Sequence, residues 1–127
     1  MARLLVVDDD ARVRRFVRDV LVEAGYEVTA VGDAESAVAR LLSFRPDVFI
    51  LDIHLPGMDG LSLARELRKI HAKNPIPVVV ISVRTDPRDK VKAHASGAIT
   101  FLEKPFRKED LLDAVRLALG AKSRHEK

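Results

Sequence analysis

Short, wholly apolar runs alternate along the chain with stretches in which apolar residues recur every three or four positions. Leu4–Val7 is the first run, uniform enough to predict a strand covered on both faces. Val13, Phe16, Val17, Val20 and Leu21 then mark one face of a helix, which Gly25 stops at the position just past its end. Val28–Val31 predicts a second strand. Asp33 predicts an N-cap for a helix turning Ala34, Ala37, Val38, Leu41 and Leu42 inward, with Pro46 after its end. Val48–Leu51 is the third strand, followed by a helix marked by Leu63, Leu67 and Ile70 and closed by Asn74 and Pro75. Val78–Ile81, wholly β-branched, is the fourth strand. A fourth helix opens near Pro87 and ends at Gly97, with only Val91, Ala93 and Ala95 to bury, and is expected to be the least firmly packed. Ile99–Leu102 is the fifth strand, and Leu111, Leu112, Val115, Ala118 and Leu119 define the last helix.

Strand-then-helix units repeated five times predict an α/β fold with a parallel sheet covered by helices on both faces. Right-handed crossovers leave few windings for so short a chain, and the flavodoxin-like doubly wound (βα)5 order 2-1-3-4-5 is the expected one. The 127 residues suit a single domain, placed at 1–120, with the polar segment 121–127 as a frayed end or the start of a linker. Composition narrows the chemistry. Without cysteine there are neither disulfides nor thiolate metal sites. The net charge of +3 is spread among interleaved acids, with one Tyr and no Trp, which argues against a nucleic-acid surface on this domain. The N-terminal apolar run is too short for a signal-peptide core and ends in three acids, so a cytoplasmic location without membrane association is expected.

In doubly wound sheets the ligand crevice lies beyond the carboxyl ends of the strands. Those ends carry Asp8, Asp9 and Asp10 after the first strand, Asp52 after the third, Ser82 at the fourth, and Glu103, Lys104 and Pro105 after the fifth. The first and third strands are neighbours in this topology, so Asp8, Asp9 and Asp52 should converge. Clustered carboxylates repel one another unless a cation joins them, and an all-oxygen set suits a hard ion such as Mg²⁺. A carboxylate beside Mg²⁺, a lysine and a hydroxyl is equipped to accept a phosphoryl group. Taken singly, each residue has a plainer reading: Asp8–Asp10 as a helix cap, Ser82 as a strand-end hydroxyl, Lys104 as a loop residue.

The set VVDDD, LDIHLPGMDG, VVVIS and FLEKPF, in this order and spacing, resembles the receiver domain of bacterial two-component response regulators, to about Leu119. The resemblance implies that Asp52 is the phosphoacceptor, that Asp9 binds Mg²⁺ directly and Asp8 through water, and that the backbone carbonyl of His54 is a further ligand. It implies that Lys104 pairs with phosphoryl oxygens and that the Lys104–Pro105 bond is cis. Ser82 corresponds to the switch hydroxyl and Phe101 to the switch aromatic, without the hydroxyl of the tyrosine common there. His54 and Arg84 stand two residues beyond the acceptor and the switch serine, where the family varies and phosphate lifetime is tuned. Val83 occupies a position the family usually keeps small.

The implied partners are a sensor histidine kinase or histidine phosphotransfer protein, a second copy through the face of the fourth helix, fifth strand and fifth helix, and an output domain beyond Lys127. Such a domain is not an enzyme with a separate substrate; it catalyses its own phosphorylation and dephosphorylation. Two other readings are weighed against it. A degenerate receiver that only binds protein draws on Val83. A haloacid-dehalogenase-type phosphohydrolase draws on the Asp8–Asp10 spacing but meets Arg12 where Thr or Val is expected. His71, His94 and His125 lack metal-site spacing and read as surface residues.

Overall fold

The computed structural model describes residues 1–55, 57–70, 73–83, 87–95 and 97–126, with backbone alone for Met58 and 121–126. In chain order the elements are β1 (Arg3–Val7), α1 (Ala11–Glu23), β2 (Glu27–Val31), α2 (Ala34–Arg40) and β3 (Val48–Asp52). They continue as α3 (Gly60–Ile70), β4 (Val78–Ser82), α4 (Pro87–Ala95), β5 (Ala98–Glu103) and α5 (Lys108–Glu126). The strands form one parallel sheet in the order β2-β1-β3-β4-β5, as the winding rules predict. An unpredicted two-stranded hairpin, His54–Leu55 against Met58–Asp59, joins β3 to α3.

Alternation along the strands divides the core in two. Leu5, Val7, Phe49, Leu51, Val78 and Val80 face α2, α3 and α4 through Ala37, Leu63, Leu67 and Ala93. Leu4, Val6, Val48, Ile50, Val79 and Ile81 face α1 and α5 through Val17, Leu21, Leu111, Val115 and Ala118. Each large side chain so buried contributes about 1.5–3 kcal/mol. β3 and β4 are buried along their whole length, while the edge strand β5 is only half-covered. Gly25 takes φ of +98° just past α1, a conformation that a residue with a Cβ resists. Among the described residues no helix is long and apolar enough to cross a membrane.

Four helices depart from expectation in what they bury. α2 ends after seven residues, and its inward face is Ala37 with Ala34 and Leu41 at the margin; Val38 is exposed and Leu42 is 89% exposed. Ile70, at the last turn of α3, is also exposed. In α4 only Ala93 is buried; Val91 is 69% exposed and Ala95 also faces solvent. The thin packing expected of α4 is therefore thinner still. Phe16 of α1, placed inward by its spacing, is half out of the core and tilted against Phe106, with ring centroids 6.1 Å apart. α5 continues as helix through residues 121–126.

Candidate functional site

The register that pairs Val7 with Leu51 brings the carboxyl ends of β1 and β3 side by side, so Asp8 and Asp52 leave the sheet as neighbours. Asp10 accepts a 2.8 Å hydrogen bond from the Arg12 amide and caps α1. The helix cap weighed for all three acids thus falls to Asp10. Asp8 is fully buried, with Oδ1 accepting from the Asp10 amide at 2.8 Å. Asp52, nearly buried, accepts from the His54 amide at 2.9 Å on Oδ1. Asp9 is exposed at the rim. Carboxylate oxygens of Asp8, Asp9 and Asp52 all lie within 4.8 Å of one another.

Lys104 reaches this cluster from the β5–α5 connection. Its Nζ lies 2.6 Å from Asp8 Oδ2 and 3.0 Å from Asp52 Oδ2, with the side chain 12% exposed. Its backbone amide donates to the Ser82 carbonyl at 2.7 Å, tying the connection to the end of β4. The Lys104–Pro105 peptide is cis. Burial pushes the Asp8 carboxyl above its ordinary range; the Lys104 ammonium and the Asp10 amide oppose this, and Asp52 adds to it. Burial alone would lower the Lys104 ammonium, but the two carboxylates outweigh it and hold the lysine above the usual amine value.

The lysine is the cluster's only cation among the described contacts, and its contact with Asp8 Oδ2 is an ion pair rather than an aligned hydrogen bond. Three carboxylates with capacity left on a buried oxygen and no nitrogen or sulfur donor suit a hard divalent cation.

The other residues singled out from the sequence lie around this cluster. Ser82 is buried at the end of β4. Phe101 of β5 is half-buried against the core, with Lys90 Nζ of α4 5.9 Å from its ring centroid. His54 is exposed and pairs across the hairpin with Asp59. Val83 is 64% exposed and lines a cleft of about 470 Å³ with Val13, Phe16, Lys104 and Phe106; Asp52 is not part of that lining. Arg84, Pro56 and His71 lie outside the described residues.

Two residues act in ways that sequence patterning did not show. A Cβ on Gly60 would overlap the Asp52 carbonyl oxygen, and the Gly60 amide donates to the Ile53 carbonyl at 2.9 Å. The start of α3 is thus pressed against the backbone of Asp52, which only a glycine allows. Arg14, on α1, donates from Nη1 to the Asp8 carbonyl at 2.7 Å. Both act on backbone atoms, which leave no periodic trace in a sequence.

Comparison with known proteins identifies a family for the chain. A family model described as the response regulator receiver domain matches residues 4–116. A "DNA-binding response regulator MtrA" from Mycolicibacterium paratuberculosis is 38% identical over 117 residues, covering 92% of this chain and 51% of that protein. A "Two-component response regulator PhoP" from Pseudomonas aeruginosa is 40% identical over 109 residues, 86% of this chain and 48% of that one. The chain therefore spans about half the length of these curated relatives. Among solved structures, the chemotaxis response regulator CheY4 of Vibrio cholerae superposes with a TM-score of 0.86 at 34% identity, covering 94% of this chain and 99% of that one. NtrX from Brucella abortus gives a TM-score of 0.92 at 36% identity, over 98% of this chain and 28% of that one.

Proposed function

The chain belongs to the response regulator receiver domain family, and from that premise we propose that it is a phosphorylation switch whose acceptor is Asp52. The observation that carries this reading is the meeting of Asp52, at the end of the central strand, with Asp8, Asp9 and Lys104. A carboxylate oxygen of Asp52 attacks the phosphorus of a phosphohistidine on a sensor histidine kinase or histidine phosphotransfer protein. The phosphorus–oxygen bond forms as the phosphorus–nitrogen bond breaks, and the imidazole nitrogen keeps the electron pair. Asp8, Asp9, Asp52 and the backbone carbonyl of His54 would hold Mg²⁺, which when bound offsets the negative charge gathered on the phosphoryl oxygens. Lys104 pivots from its carboxylate partners to a phosphoryl oxygen, a charge-assisted contact. Hydrolysis, by water attacking the same phosphorus, returns free Asp52 and inorganic phosphate.

In this reading Ser82 donates its hydroxyl toward the phosphoryl group and Phe101 changes position with it. His54, Val83 and Arg84 tune how long the phosphate stays. The responding surface is α4-β5-α5, and the single buried side chain of α4 favours a segment that moves readily. That surface would serve a second copy of the domain or an output domain following residues 1–120, with 121–127 leading toward it. MtrA, described as DNA-binding, is about twice as long as the matched segment, which favours such an output domain.

The test is incubation with Mg²⁺ and acetyl phosphate followed by intact mass measurement. A single added phosphoryl group that vanishes in Asp52→Asn is expected. No adduct, or one that persists in Asp52→Asn, refutes the assignment.

A further inference from the structure

Asp9 is the exposed member of the carboxylate cluster, and its side chain makes no hydrogen bond or ion pair with a described residue. Asp8 and Asp52 are held by amides and by Lys104. The backbone therefore sets where the Asp9 Cα–Cβ bond starts and points, and the plane of the Asp8–Asp9 peptide comes first in setting it. The oxygen of that peptide is the Asp8 carbonyl, the atom to which Arg14 Nη1 donates at 2.7 Å. The same arginine is half-buried and lies against the β2–α2 turn. A Cβ on Gly32 would come within 3.0 Å of its Nη1, and its charge helps keep the Asp33 carboxyl below the ordinary range after the Ser36 hydrogen bonds have done most of that work. The Asp8 amide meanwhile donates to the Val31 carbonyl at 3.1 Å. The peptide units on both sides of Asp8 are thus fixed, one by β2 and the other by Arg14.

We propose that Arg14 is a positioning residue for cation binding, acting through the Asp8–Asp9 peptide to aim the Asp9 carboxylate at the site. Gly32 is part of the same device, because it leaves the space in which the guanidinium sits. The inference rests on the metal reading of the cluster, and groups that orient metal ligands from behind typically change affinity by about 10- to 100-fold when removed. A salt link that merely braced β1 against β2 would lower stability and leave affinity alone.

Mn²⁺ serves as the probe, with free Mn²⁺ read by electron paramagnetic resonance and folding checked by urea unfolding. Binding by the wild-type chain that Asp9→Asn removes is expected; absence of binding, or binding indifferent to Asp9→Asn, overturns the metal reading and this inference together. Given that binding, Arg14→Met should weaken it about tenfold, and Arg14→Lys, which keeps a donor and a charge, should recover much of the loss. Gly32→Ala should weaken binding with Arg14 present and change nothing on the Arg14→Met background. Wild-type affinity in folded Arg14→Met refutes the role of Arg14 alone. Should Arg14→Met fail to fold, unchanged affinity in Gly32→Ala refutes it instead.

Discussion

Replacing Gly60 by alanine sets two effects of opposite sign against each other. Alanine is favoured over glycine in a helix interior by about 1 kcal/mol, so helix propensity alone predicts a more stable protein. The added methyl, however, would overlap the carbonyl oxygen of Asp52 and crowd the Cα of Ile53. Neither is the free end of a side chain, so relief requires moving α3 or the end of β3. Forced shifts of that kind in a packed core cost about 1–3 kcal/mol and sometimes more. Position 60 is the first residue of α3, where the propensity gain is smallest, and the clash should win.

We expect a net loss of about 1–2 kcal/mol, read as a lower urea midpoint at unchanged slope and a melting temperature lower by several degrees. Gly120→Ala is the matched control: it lies in α5 with nothing within 4 Å of its added Cβ, and should gain about 0.5–1 kcal/mol. Because the clash falls on the backbone of Asp52, the proposed acceptor, the acetyl-phosphate adduct of Gly60→Ala should also form roughly 10- to 100-fold more slowly. A Gly60→Ala protein as stable as wild type would show that the close approach of α3 to Asp52 is wrong.

Adding Mg²⁺ should raise the melting temperature of wild type and leave Asp9→Asn unmoved; at ten times the dissociation constant the gain is about 1.4 kcal/mol, and an equal rise in both proteins would exclude these carboxylates. The raised Asp8 carboxyl has a definite sign in a chelator-treated sample. The folded state holds that proton more tightly than the unfolded chain. Relative to Asp8→Asn, wild type should therefore lose stability as pH rises from the ordinary carboxylate value of 3.8 through the folded value; a trend in the other direction would contradict the burial of Asp8. Asp33→Ala should lower the melting temperature, since Asp33 accepts from the amide and hydroxyl of Ser36 at 2.7 and 3.1 Å and caps α2. That difference should fade as pH falls below the unfolded value, where the depressed carboxyl finally takes its proton.

The sheet was legible in the sequence because β1, β3 and β4 are largely buried on both faces, which forces unbroken apolar runs with polar residues only at their ends. The meeting of Asp8, Asp9, Asp52 and Lys104 followed once strand order was inferred, because parallel strands deliver all their ends to one edge. Helix faces were harder to read. Spacing marks a stripe but not its width, so Val38, Leu42, Ile70 and Val91 were counted inward although the helices carrying them are short or end too soon. The His54–Asp59 hairpin escaped notice because strands of two residues have no period. The contacts of Gly60 and Arg14 were hidden for a different reason, since what each one touches is a carbonyl oxygen, and every residue has one.

The single alanine by which α4 is anchored in the core has a consequence for populations. Uncovering one methyl costs on the order of 0.8 kcal/mol of apolar burial, only slightly more than thermal energy. Apolar packing therefore opposes a displacement of α4 only weakly, and a ligand or modification that favours a displaced α4 works against a small burial term. The large side chains of β3 and β4 would stay buried throughout. The surface offered to a partner could therefore change while the stability of the domain as a whole barely registers it.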